Sequence, residues 1–234
     1  MVTEEQGINN LTPNVKLVSY STPTEDFSEE GLTDVQDLIS YCARVSNPSN
    51  QFNKKTAQKL ILYLIKHKHW SPLEMASACI EIETTRDIAH QIVRHRSFSF
   101  QEFSQRYANP NDMGDAFTIR ECRLQDNTNR QNSIETQDTN QALRWKKLQE
   151  EVGMSARKAY NQALKDGIAK EQARALMPEG LTETTIIVSG SLRSWIHYCQ
   201  LRMANGTQKE HADIAKMCWE IISGHFPSIA KAME

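Results

Sequence analysis

Apolar side chains recur along the chain with two different periods, and where one gives way to the other an element begins or ends. Val15–Tyr20 is short and partly alternating, which predicts a strand. Thr33-x-x-Gln36 has the spacing of a capping box, with Val35, Leu38, Ile39 and Cys42 behind it at helical intervals. Asn53 is placed to cap a second helix whose stripe is Ala57, Leu60, Ile61, Leu64 and Ile65, and Pro72 closes the His-Lys-His-Trp segment after it. Ile80–Thr84 alternates with period two, a strand with one buried face. Thr85 then caps a helix that buries Ile88, Ala89, Ile92 and Val93 and runs out through Arg94-His95-Arg96.

The second half repeats this alternation. Ala142–Lys165 is a long amphipathic helix, and Lys170–Leu176 a shorter one stopped by Pro178. Thr182–Ser189 is rich in Thr, Ile and Val and reads as a strand. Ser191–Arg202 and Gln208–His225 are helices, the latter stopped before Pro227. Two stretches carry almost nothing to bury: residues 1–13, expected to be flexible, and Gln125–Gln141, expected to be a polar surface loop or arm, since ordering either costs entropy with little return. A mostly helical α+β chain with a small mixed or antiparallel sheet follows, residues 1–234 forming a single domain.

Composition narrows the class. The 234 residues are 39% hydrophobic and 24% charged, a soluble globular balance long enough for a core without staples. No apolar run could cross a membrane, and the mean hydropathy is −0.59. The net charge of −2 argues against wholesale binding to nucleic acid or membrane surfaces. The five cysteines are odd in number and scattered, which points to reduced thiols in a cytoplasm. The N-terminus has neither the basic nor the apolar region of a signal peptide.

The nine glycines form neither a dinucleotide fingerprint nor a phosphate loop, and there is no nucleophile elbow or zinc helix. His67-x-His69 has no carboxylate or cysteine cluster to complete a metal site, so no metal is expected. The dense segment is Arg94–Tyr107, with three arginines, one histidine, three serines and four aromatics in fourteen residues. Arginines at a helix C-terminus are favoured by the macrodipole, which accounts for Arg94 and Arg96 but not for Ser104 and Arg106. Arginine forks with hydroxyls suit a phosphate monoester, and a solvated basic face remains the alternative. Arg96–Phe103 also superficially follows an RNA-recognition pattern of basic and aromatic positions, though serines replace its small glycine-type positions and helices flank it. Arg193 and His197 share one helix face with Arg202 about a turn beyond, an arrangement that periodicity alone reads first as a helix laced with surface charge.

Taken with Ser104, Arg94-His95-Arg96 resembles the signature of the flavin-dependent thymidylate synthases, extended by Glu102, Arg106 and Tyr107. Supporting similarity includes Arg44-Val-Ser46, His69–Glu74, Gln91, Glu171-x-Ala-Arg174, Leu192–His197, Leu201-Arg202 and Gln208-x-Glu210, over roughly Tyr41 to Pro227. The resemblance implies methylation of dUMP to dTMP, with methylenetetrahydrofolate as carbon donor, FAD as mediator and NADPH as reductant. It also implies a homotetramer whose sites lie between subunits. Carried over residue by residue, Ser71, Arg94, His95, Arg96, Glu102, Ser191, Arg193 and His197 resemble the FAD contacts. Gln91, Ile92, Val93, Arg94, Glu102, Phe103, Ser104, Gln105, Arg106, Arg174 and Arg202 resemble the dUMP contacts. Arg202 is similar to the arginine that activates dUMP from its N3 side. Gln101, Ser191 and His197 stand where many members carry Asn, which implies altered hydrogen bonds to FAD. No cysteine lies in a matching motif. A flavin-binding protein without synthase activity and, more remotely, an RNA-binding module are the rival readings.

Overall fold

The computed structural model describes residues 9–10, 13–109 and 117–233. Its centre is a four-stranded antiparallel sheet of β2 (Asn14–Tyr20), β3 (Ser77–Thr85), β8 (Glu183–Ser191) and β4 (Phe98–Glu102), in that spatial order. Period-two patterning puts Ala78, Ile80 and Ile82 of β3 and Ile186 and Val188 of β8 on one face, all essentially buried. The opposite face, with Glu81, Glu83, Thr185 and Ile187, is only half covered.

Helices α2 (Val35–Ala43), α3 (Ala57–Lys66), α4 (Arg86–Ile92), α7 (Leu192–Arg202), α8 (Lys209–His225) and α9 (Pro227–Met233) supply the rest of this core. Trp195 of α7 is fully buried and donates its indole N–H to the Ala78 carbonyl at 3.0 Å, tying helix to sheet. A second small cluster joins Phe117, Ala173 and Met177 to Tyr160 of the 27-residue helix α5 (Thr139–Lys165). Short pieces complete the order: β1 (Asn9–Asn10), α1 (Glu25–Glu29), β5 (Thr118–Ile119), β6 (Arg123–Gln125), β7 (Ser133–Glu135) and α6 (Lys170–Ala173). Among the described residues no helix is long and apolar enough to cross a membrane.

Several boundaries differ from the sequence reading, each for a local reason. The cap of α2 is Asp34, which accepts from the Gln36 and Asp37 amides, while Thr33 bonds back to the Asp37 carboxylate. Neither Asn53 nor Thr85 makes a side-chain cap: a 3-10 turn over Lys54–Thr56 intervenes before α3, and the Thr85 hydroxyl donates to the Asp87 carboxylate. Helix α4 stops at Ile92, so Arg94 and Arg96 lie in a turn beyond it. The Gln125–Gln141 arm is an ordered hairpin of β6 and β7 running into α5, which starts at Thr139 under an Asp138 cap. Polar side chains order it: the Gln125 amide donates to the Asp126, Arg130 and Asn132 carbonyls across the turn. At the N-terminus, Asn9–Asn10 pairs in parallel with β5, while the remainder of the expected flexible segment up to residue 12 lies outside the described residues. Pro227 starts α9 as well as ending α8, because a proline at the first helical position loses no hydrogen bond.

The β4–β8 pairing has one tight point. Phe98 sits opposite Gly190, and a Cβ there would lie 2.6 Å from Phe98 Cε1 and nearer still to Cδ1. The Phe98 ring is buried and packed on Trp195 at 4.6 Å between centroids, so it has no room to withdraw. Gly190→Ala is therefore expected to destabilise the fold by about 1–3 kcal/mol through overpacking, read as a lower denaturant midpoint at unchanged slope.

Candidate active site

The residues expected to act together fall into three groups. The first forms where the α4–β4 turn meets the end of α7. Arg202 Nε donates to His95 Nε2 at 2.8 Å. Arginine has no acceptor, so His95 must present a lone pair at Nε2 and carry its proton on Nδ1. Burial, followed by the Arg202 charge, pushes the His95 pKa down to about 4, which keeps the ring neutral beside the guanidinium. His95 also stacks edge-on against the buried Tyr198 at 5.0 Å, with the buried His211 ring 6.4 Å away. Gln91, on the last turn of α4, hydrogen-bonds both His211 and Gln208.

The second group gathers at the C-terminal end of β8. Ser191 caps α7 by accepting from the Ser194 amide at 3.3 Å, and its hydroxyl donates to Glu74 Oε2 at 2.5 Å. Arg193 reaches the other Glu74 oxygen at 2.6 Å. The Ser191 hydroxyl first, then the Arg193 guanidinium, hold the Glu74 carboxyl below its usual range. Ser71 opens the 3-10 turn Ser71–Met75 that carries Glu74, and Trp70 before it packs on His197 at 4.9 Å. Arg94 and Arg96 are exposed and have no side-chain partner among the described residues. These unpaired cations, with exposed Ser71, Arg193 and His197, fit the anionic and polar parts of a dinucleotide.

The third group lies at the other end of β4. Glu102 is pinned by Arg86 at 3.1 Å and by the Thr184 hydroxyl at 3.0 Å. Beyond it, a turn closed by the Ser104 carbonyl carries Arg106, which pairs with Glu171 at 3.5 Å. Arg174 donates to the Glu171 carbonyl at 3.2 Å, so Arg106 and Arg174 share one exposed corner. Among the described residues no side chain hydrogen-bonds the Ser104 hydroxyl, so none of them stands as a general base to it.

One chain thus joins Arg202 to His95 and Gln91, and Arg106 to Arg174, but holds the two sets at opposite ends of β4. Three of the expected contacts lie wholly or partly in the interior. Ile92 is a core side chain, 1% exposed, and Val93 is half-buried against the same core. Gln105 is buried, its Nε2 unpartnered among the described residues. The alternating Phe98 and Phe100 pack inward, with Phe98 buried, so they make no exposed stacking platform for RNA bases.

A groove of about 410 Å³ lined by Ile119, Arg120, Arg123, Lys146, Lys209 and Glu210 contains none of the expected residues. Sequence reasoning missed Arg86, Tyr198 and His211, and saw Glu74 only as part of a motif. The hydrogen-bond partners of Arg86, Glu74 and His211 lie 16, 119 and 120 positions away, and His95, which packs on Tyr198, lies 103 positions from it, beyond the reach of local spacing.

The family model described as thymidylate synthase complementing protein matches residues 30–228. A protein of Paramecium bursaria Chlorella virus 1 named probable flavin-dependent thymidylate synthase is 48% identical over 94% of this chain and 99% of its own length. A flavin-dependent thymidylate synthase of Synechocystis sp. is 42% identical over the same shares. The crystal structure of a UMP/dUMP methylase from Streptomyces cacaoi bound with 5-Br UMP superposes with a TM-score of 0.80 at 22% identity, covering 96% of this chain and 95% of that one, a likeness of fold.

Proposed function

Because this chain belongs to the flavin-dependent thymidylate synthase family, we propose that it converts dUMP to dTMP with methylenetetrahydrofolate, FAD and NADPH. The incoming carbon is at the oxidation level of formaldehyde and the product carries a methyl group. Two reducing equivalents from NADPH therefore make up the difference, and tetrahydrofolate is released. The observation that carries the proposal is the Arg202–His95 pair. C5 of uracil becomes nucleophilic when negative charge gathers in the ring, and a fixed guanidinium beside a neutral imidazole stabilises that charge without competition.

The cysteines support the same reading. All five are free thiols, Cys199 is buried with its pKa pushed up to about 12, and Cys218 is raised well above the usual range by complete burial. Neither buried thiol is available as a thiolate, and no cysteine lies in a matching motif, which favours ring activation by charge over covalent attack.

Ser71, Arg94, His95, Arg96, Glu102, Ser191, Arg193 and His197 would hold FAD. When bound, the flavin supplies the hydride and one-carbon transfer chemistry. Arg106 and Arg174 would grip the nucleotide through charge-assisted forks, with Gln91, Glu102 and Ser104 completing its shell. The Arg106–Arg174 corner is open in one chain, and α5 leaves Trp145, Leu148 and Val152 exposed along one face. Both features favour a homotetramer in which neighbouring subunits complete each site, working in the cytoplasm where thiols stay reduced.

FAD-loaded protein given NADPH and methylenetetrahydrofolate is expected to release tritium from [5-³H]dUMP in step with dTMP formation. A yellow, dUMP-binding protein that releases none would be a flavoprotein without synthase activity.

A further inference from the structure

A directed chain of hydrogen bonds runs from the arm hairpin into the floor of this site. Arg123 Nη2 donates to Glu210 Oε1 at 2.6 Å, and both side chains are nearly covered, 11% and 12% exposed. Gln208 Nε2 donates to Glu210 Oε2 at 3.0 Å, and Gln91 Nε2 donates to Gln208 Oε1 at 2.8 Å. Gln91 Oε1 then lies 3.2 Å from His211 Nδ1. A carboxylate paired with arginine can only accept, and each carboxamide has one accepting and one donating end. The acceptor at Glu210 therefore sets the orientation of Gln208, Gln208 sets that of Gln91, and Gln91 requires the proton of His211 on Nδ1. His211 is fully buried, and its Nε2 has no partner among the described residues. Burial above all, then Arg202 and His95, drives its pKa down to about 3, so the ring stays a single neutral tautomer.

We propose that His211 is a positioning residue that, by anchoring the carbonyl of Gln91 while Gln208 holds its amino end, locks that carboxamide with its carbonyl inward and its amino end outward, so that Gln91 offers the nucleotide an N–H donor. The proposal rests on the reading of Gln91 as a dUMP contact. Gln91 Nε2 gives one proton to Gln208 and keeps the other for an acceptor oxygen of the ligand. With Arg202 also a pure donor, both side chains select a nucleotide presenting acceptors to this wall. His211 serves both, since its ring lies against Tyr198 at 5.7 Å and near His95, the ring that holds Arg202.

The experiment uses full-length FAD-loaded protein with isotopically labelled histidine, whose ring nitrogen and carbon shifts report the tautomer. Wild-type His211 is expected to be neutral with the proton on Nδ1. Glu210→Gln turns its own carbonyl to Arg123 and its NH₂ to Gln208, which reverses both glutamines and moves the His211 proton to Nε2. In that variant, and in His211→Leu, dUMP affinity measured by flavin absorbance should fall about tenfold, the loss of one hydrogen bond, with FAD affinity unchanged. His211→Asn, whose Nδ2 takes the place of Nδ1, should restore it.

An Nε2-protonated His211 in the wild type, or an unchanged tautomer in Glu210→Gln, overturns the proposal. So does normal dUMP binding by His211→Leu when Gln91→Ala binds weakly. Unchanged dUMP affinity in Gln91→Ala, with the tautomers as described, instead removes Gln91 from the ligand and the proposal's ligand-facing step with it. The wild-type tautomer is decisive even if the variants fold poorly.

Discussion

Arg202→Ala is expected to lower the rate of dTMP formation by roughly two to three orders of magnitude, the scale of removing one preorganised donor from a developing anion. The loss should appear in the single-turnover rate with FAD still bound, because among the described residues assigned to FAD only His95 touches Arg202 and the others keep their partners. Arg202→Lys should recover only a small part. A lysine is a point charge and cannot hold His95 Nε2 through one N–H while presenting a planar fork to the ring. The alanine variant also strands a half-buried imidazole acceptor, which costs about 1–3 kcal/mol of stability. The rate is therefore measured well below the variant's melting temperature. A single-turnover rate within threefold of wild type at saturating dUMP would remove Arg202 from the chemistry.

The frame of the site was legible in the sequence because its elements have strong periods. The alternation of Ile80, Ile82 and Thr84 and the stripe of Ile88, Ala89 and Ile92 appear in the structure as β3 and α4. What escaped was set by polar groups whose partners are distant in sequence. The 125–141 segment reads as a polar surface loop or arm because it buries nothing, and the β6–β7 hairpin within it is held by side-chain-to-backbone bonds that hydrophobicity does not register. Helix α4 continues on paper through Arg94–Arg96, but the chain turns at Val93 because the next apolar residues, Phe98 and Phe100, are needed at β-spacing against β8.

Site residues follow the same division. Types and motifs could be read from local spacing, whereas the Arg202–His95 bond spans 107 positions and the Arg193–Glu74 pair 119. His211 carries no motif of its own. Only the fold shows that it closes a chain beginning at Arg123.

The separation of Arg202 from Arg106 makes the second large effect a property of the assembly. In one chain Arg202 is fixed at the start of β4 by His95, and Arg106 is fixed past its end by Glu171. Five residues of strand put these ends about 13 Å apart at roughly 3.3 Å per residue, and Arg106 lies four positions farther along the chain. If each site takes Arg202 from one subunit and Arg106 from a neighbour, Arg106→Ala and Arg202→Ala homomers are each nearly inactive. Every site in either homomer lacks one of the two arginines. Mixed oligomers differ, because a site can draw Arg202 from an Arg106→Ala chain and Arg106 from an Arg202→Ala chain. Random mixing at equal amounts gives each requirement a chance of one half, so roughly a quarter of sites should regain wild-type activity in a closed symmetric oligomer. Co-expression with two different affinity tags, followed by sequential purification, would isolate the mixed species for assay against both parents at equal protein. Mixed oligomers no more active than the parents would mean that Arg106 and Arg202 serve a site within one chain. The turn after β4 would then have to swing back along the sheet to meet α7.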